Sequence, residues 1–105
     1  MMELRTYTLA DENALRRYVS GFWPRHIQTL RTYGITVHGV WTEASSIGRH
    51  VFALIGYPPD SDPLQLAQSY RNSVDFVEDH ALFDVSLIIS TQTVRLDPIA
   101  SSPLQ

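Results

Sequence analysis

The chain contains no cysteine and no lysine. The first absence excludes disulfide staples, thiolate metal centres and thiol nucleophiles. The second excludes Schiff-base chemistry and the lysine of a nucleotide-binding loop. Gly-rich phosphate motifs and a Gly-x-Ser-x-Gly nucleophile elbow are missing as well. No apolar run approaches the roughly 18 residues needed to span a bilayer, and the longest, such as Val51–Ile55, have strand length. The opening residues Met1–Leu9 lack the basic segment and apolar core of a secretory signal. A cytoplasmic location is therefore expected, with no membrane partner. Charge is also sparse, at 18% of residues, and the net charge is −3. The eight bases, all arginine, are scattered, so nucleic acid is not an expected partner.

Apolar side chains are abundant by contrast. They make up 44% of a chain of only 105 residues. A chain of this size holds one core, and buries roughly 60–68% of its unfolded surface. A single domain over residues 1–105 is expected, with 98–105 as an extended tail, and the apolar surplus points to a partner surface.

Local signals order the elements. Met2–Leu9 alternates Leu4, Thr6 and Thr8 with Glu3, Arg5 and Tyr7, a strand pattern. Asp11 offers a helix N-cap. Apolar residues from Leu15 through Tyr18, Phe22, His26 and Leu30 then recur at helical spacing, and Gly34 suits the stop. Pro24 cannot donate to the Ser20 carbonyl, so a kink is expected near Trp23–Pro24. Ile35–Glu43 and His50–Tyr57 read as strands joined by a hairpin loop over Ala44–Arg49. Asp62–Pro63 opens a helix with Leu64, Ala67 and Tyr70 on one face. Asn72–Ser73 breaks it, Val74–Ala81 forms a second piece, and Asp84–Leu96 reads as the last strand. The resulting βαββαβ order is that of a ferredoxin-like α+β fold: a four-stranded antiparallel sheet with helices on one face.

The strands are apolar on both faces: Val51, Ala53 and Ile55 oppose Phe52 and Leu54, and Val40 opposes Trp41. The helices can cover only one face, whereas a face open to water should alternate to polar residues. A second copy of the chain is the economical cover, so a homodimer is expected.

The run Glu3-Leu4-Arg5-Thr6-Tyr7-Thr8-Leu9 resembles the opening strand of NIPSNAP-family domains. Val40–Glu43 with the hairpin and Val51–Tyr57, and then Asn72-Ser73-Val74-Asp75-Phe76, resemble later parts of the same family, so the likeness spans roughly residues 2–97. It implies pairing into a dimeric α/β barrel, in a superfamily that includes small monooxygenases, polyketide cyclases, isomerases and proteins without known activity. His80-Ala81-Leu82-Phe83 also resembles the His-x-x-Phe segment of some barrel-type polyketide cyclases, which implies a catalytic base at His80.

Four histidines are the main chemical resource, since a pocket can tune them as acid or base. His80 reads as a base at the mouth of the space between paired sheets, or as a helix-end histidine binding terminal carbonyls. His38 shares a strand face with Val40 and Thr42, and reads either as a second catalytic group in the cavity or as a satisfied buried side chain. His26 reads as a hydrogen-bonded core histidine or a substrate contact, and His50 as exposed. Tyr7, Trp41 and Tyr57 could line an aromatic pocket, with Arg5 holding an anionic or carbonyl group. No metal and no cofactor is expected. Two functions follow. One is a cofactor-free enzyme acting on a small aromatic or polyketide-like metabolite by histidine acid/base chemistry, of cyclase, isomerase or monooxygenase type. The other is a non-catalytic dimeric module that binds a metabolite or a protein.

Overall fold

A computed structural model describes residues 1–45 and 47–105. Strands β1 (Met2–Leu9), β2 (Thr36–Thr42), β3 (His50–Gly56) and β4 (Ile88–Leu96) form one antiparallel sheet in the order β2-β3-β1-β4. Helices α1 (Glu12–Arg17), α2 (Trp23–Thr32), α3 (Pro63–Arg71) and α4 (Val74–His80) make the second layer. This is the ferredoxin-like α+β arrangement that the order of local signals predicts.

Helices α1, α3 and α4 each begin where a short polar side chain can take up free amide hydrogens. Asp11 accepts from the Ala14 N–H at 2.7 Å, Asp62 from Leu64 at 3.0 Å, and Ser73 from Phe76 at 3.1 Å. Helix α2 ends in a Schellman motif: Ile35 N–H donates to the Leu30 carbonyl at 3.0 Å and Gly34 N–H to that of Arg31 at 3.1 Å. Gly34 sits at φ 78°, where a side chain would be strained.

The break expected at Pro24 takes a particular form. Between α1 and α2, residues Tyr18–Phe22 form a π-helical turn, and the Trp23 N–H reaches back to the Tyr18 carbonyl. The wider turn absorbs the missing proline donor, and the chain runs on without a loop. The fourth strand begins later than expected. The Asp84 carboxylate accepts from Ser86 N–H at 3.0 Å and from its hydroxyl at 2.6 Å, and Val85–Leu87 winds into a 3-10 turn. Local capping thus outcompetes the strand ladder until Ile88. Leu64, expected on the packed face of its helix, is 71% exposed; Leu66, Ala67 and Tyr70 face inward instead. Of the hairpin loop expected over 44–49, Ser46 lies outside the described residues.

Register settles which side chains share a face. Glu3, Arg5 and Tyr7 lie beside Ile55, Ala53 and Val51 on the helix side. Val51, Ala53 and Ile55 are fully buried there, at the centre of the core. Leu4 and Thr6 lie beside Leu54 and Phe52 on the other face, next to Trp41. Among the described residues no helix covers that face. The tail from Asp97 reaches it, folding back in a turn (Ser102 N–H to the Ile99 carbonyl, 3.0 Å) so that Ile99 and Leu104 flank Met2, Leu54 and Leu96. Among the described residues no helix is long and apolar enough to cross a membrane.

Candidate functional site

The helices do not close fully onto the sheet. A cavity of about 210 Å³ lies between the two layers. Its floor is Arg5, Tyr7 and Tyr57 on the sheet side; Tyr18, Phe22 and His26 descend from the first helical run; Tyr70, Phe76 and His80 come from α3 and α4. Aromatic packing shapes the walls: Tyr18 stacks on Phe22 at 5.1 Å between centroids, and Phe76 stacks on the His80 ring at 4.0 Å.

One wall is anchored by a buried carboxylate. Asp79, with no exposed surface, is held from four directions. The Arg25 guanidinium and the Thr29 hydroxyl (3.2 Å) donate to Oδ1. The Tyr70 hydroxyl donates to Oδ2 at 2.7 Å, and His26 Nδ1 lies 3.1 Å from the same oxygen. Arg25 also reaches Glu78 at 2.5 Å on the surface. Burial alone would raise the Asp79 pKa, but the hydrogen bonds from Tyr70, His26 and Thr29 outweigh it and hold the carboxyl below its ordinary value. A carboxylate with only acceptors fixes the donors around it. His26 therefore carries its proton on Nδ1, toward Asp79, and presents Nε2 as the free lone pair.

Burial drives the His26 pKa down to about 4, against the opposing pull of Asp79. The Asp79 charge is already met by Arg25, so less of it remains to favour an imidazolium. At neutral pH the ring is a neutral, oriented base. Nε2 has no protein partner among the described residues, and the ring lines the cavity. His80 is fixed in a parallel way: its Nδ1 lies 2.8 Å from the Phe76 carbonyl, one helical turn back, and must donate to it. Its Nε2 is likewise left without a protein partner among the described residues.

The other polar groups favour developing negative charge. Arg5 donates to the Tyr57 hydroxyl at 2.7 Å and lies 3.6 Å from Glu3. Burial, and then the neighbouring Tyr7, push the Tyr18 hydroxyl well above its ordinary pKa, so it remains a proton donor throughout the physiological range. The indole N–H of Trp23 is a buried side-chain polar atom without a partner. Among the described residues no group of three metal-ligating side chains converges.

Five residues singled out from the sequence thus meet at this cavity: Arg5, Tyr7, His26, Tyr57 and His80. Two do not. His38 falls at a register shift in β2, packs over Gly56 on the opposite face of the sheet, and is exposed. Trp41 lies on that same face and is 53% exposed. His80 is also placed differently from expectation: it opens onto the space between helices and sheet of one chain, not onto a mouth between two sheets. Asp79 faces inward and orients His26, not its neighbour His80, whose Nδ1 is held by the Phe76 carbonyl. Asp79, Tyr70, Thr29 and Arg25 were not singled out by the sequence reading. One signal was present: Asp79 follows Phe76 at a three-residue spacing, which places it on the packed side of α4.

No family model matches the chain, and neither does any curated protein. Solved structures do. An uncharacterized NIPSNAP domain protein from Burkholderia xenovorans superposes with a TM-score of 0.80 at 18% identity, over 97% of each chain. A NIPSNAP family protein with unknown function from Agrobacterium tumefaciens superposes at 0.83 and 15% identity, over 99% of this chain and 92% of that one. A putative antibiotic biosynthesis monooxygenase from Nitrosomonas europaea is more distant, at 0.63 and 10% identity, over 96% and 92%. The chain therefore has the fold of the NIPSNAP domain structures, a ferredoxin-like fold shared more loosely with the monooxygenase.

Proposed function

We propose that the chain is a NIPSNAP-like enzyme that removes a proton from a small aromatic metabolite, with His26 as general base. The observation that carries this reading is the His26–Asp79 pair, which leaves a neutral Nε2 on a cavity lined by aromatic rings. A donor acidified by a neighbouring carbonyl or phenol gives its proton to Nε2. The imidazolium that forms is stabilised by Asp79, and the electron pair left behind, an enolate or phenolate, is met by Tyr18 or Arg5. The His26 imidazolium then returns the proton at a second atom of the substrate, which completes an isomerisation or a cyclisation. The likeness to a monooxygenase fold keeps attack of the same anion on dioxygen within this class.

Cavity size narrows the substrate. An engineered cavity of about 150 Å³ accepts one benzene molecule. About 210 Å³ accepts a single ring with substituents and excludes a fused polyketide. The reading is tested by deuterium wash-in at the acidic carbon of phenylacetone, followed by NMR. The native protein is expected to accelerate exchange and His26→Ala to abolish the acceleration. Equal rates in both, with the variant folded, contradict the mechanism.

The partner expectation also becomes a proposal. Trp41 and Val94 are each more than half exposed on the sheet face that no helix covers. We propose that two copies pair through this face. Sedimentation velocity is expected to show a dimer that Trp41→Glu converts to monomer; a monomeric native protein rules the pairing out.

A further inference from the structure

The cavity has an annex. A second, open cleft of about 370 Å³ shares Arg5, Tyr57, Ala67 and Arg71 with it as a common wall, and extends outward to Arg95. Arg71, in the last turn of α3, and Arg95, on β4, are both exposed and have no ion-pair partner among the described residues. The two acidic side chains on the cleft are already engaged. Glu3, opposite Arg95 in the β1–β4 register, lies 3.6 Å from Arg5. Asp62 caps α3, accepting from Leu64 and Gln65 N–H groups at 3.0 and 3.4 Å. The cleft is therefore net cationic, with two of its guanidiniums free, and it opens from an aromatic-lined chamber sized for one ring.

We infer that the ligand of this protein is a single-ring aromatic carboxylate, with its ring in the cavity beside His26 and its carboxylate in the annex, held by Arg71 and Arg95. A planar guanidinium matches a carboxylate in two parallel hydrogen bonds, which is why arginine, not bulk positive charge, fits such a group. The arrangement also sets direction. The charged end is drawn to the mouth, so the atoms opposite it are delivered to the histidines. This rests on the cavity being an aromatic site, as proposed above.

The test is calorimetric binding of matched pairs to the full chain: benzoate against benzamide, and phenylacetate against phenylacetamide. The acids are expected to bind about tenfold tighter than their amides, a modest gain because the arginines are exposed to solvent. Added sodium chloride is expected to erode only the acids' advantage. Arg71→Gln and Arg95→Gln, both surface changes, are expected to bring acid and amide affinities together while leaving the amides' own affinity in place. Equal affinity of acid and amide for the native protein overturns the annex and leaves the aromatic cavity standing. So does an advantage that survives both substitutions. No binding of any of the four compounds at millimolar concentration overturns the aromatic cavity itself, and the annex with it.

Discussion

On the helix side of the sheet, Val51, Ala53 and Ile55 are sealed from water, and beside them a charged cluster is buried with every carboxylate oxygen paired. On the opposite side Phe52, Leu54 and Trp41 share a face with neutral side chains such as Thr6 and Gln92, and remain partly or largely open to solvent. Polarity is thus placed against the simple rule that charge goes outside. The buried charge serves a site, because one polar cluster fixes the tautomer of a base. The exposed apolar surface has no such internal use; the proposed pairing of two copies would cover it. Position in the sheet does not by itself distinguish chemistry from association; the pairing of the polar groups does.

Three changes bear on the buried side of that contrast. Asp79→Ala strands Arg25, His26, Thr29 and Tyr70 at once. It is expected to cost about 3–4 kcal/mol in urea unfolding and to abolish proton transfer, since the His26 tautomer is no longer fixed. A loss below about 1 kcal/mol would show that the cluster does not hold the helices together.

Acid is the next lever. The unfolded chain protonates His26 near its ordinary pKa of about 6.5, but the folded chain resists until about 4. Between these values the unfolded state binds the extra proton, so stability falls as pH falls through the window, by up to about 3 kcal/mol. Urea midpoints measured from about pH 7 to about pH 4.5 should drop in the native protein and drop less in His26→Gln. Parallel curves would show that His26 titrates alike in both states.

Tyr70→Phe is the smallest perturbation. It removes one donor to Asp79 Oδ2 while His26 remains, and should cost about 1–2 kcal/mol. It should also raise the pH at which proton transfer fails, because Asp79 becomes easier to protonate. An unchanged pH profile would assign Tyr70 to packing alone.

Much of the fold can be read locally. Asp11, Asp62 and Ser73 cap the helices they precede, and Gly34 stops the one it follows, because capping needs only residues a few positions apart. The two apolar faces of β3 are equally visible, since a strand alternates strictly. The site is less legible for the opposite reason. His26 and Asp79 are 53 positions apart, and only the packing of α2 on α4 brings them together. Glu78 and Asp79 are adjacent acidic residues, and nothing local marks which of them turns inward. His38 is misleading in the complementary way. Strand alternation from Val40 would place it on the helix side, but the register shift between Val37 and Gly39 turns it to the outer face over Gly56, away from the cavity. Asp84 shows the same limit on a smaller scale: its side chain, not the apolar run that follows, decides where β4 starts.

The π-helical turn at Tyr18–Phe22 has a further consequence for how this chain can change. Such a turn is one residue longer than the α-helical turn it replaces. A one-residue deletion within Val19–Gly21 would leave a regular α-helical turn with α2 in the same phase relative to α1, so His26 would keep its azimuth over the cavity. Pro24 would then stand inside an ordinary α-helix, its ring against the carbonyl one turn back. The extra residue is thus what lets a proline sit in the helical run while the base still faces the chamber.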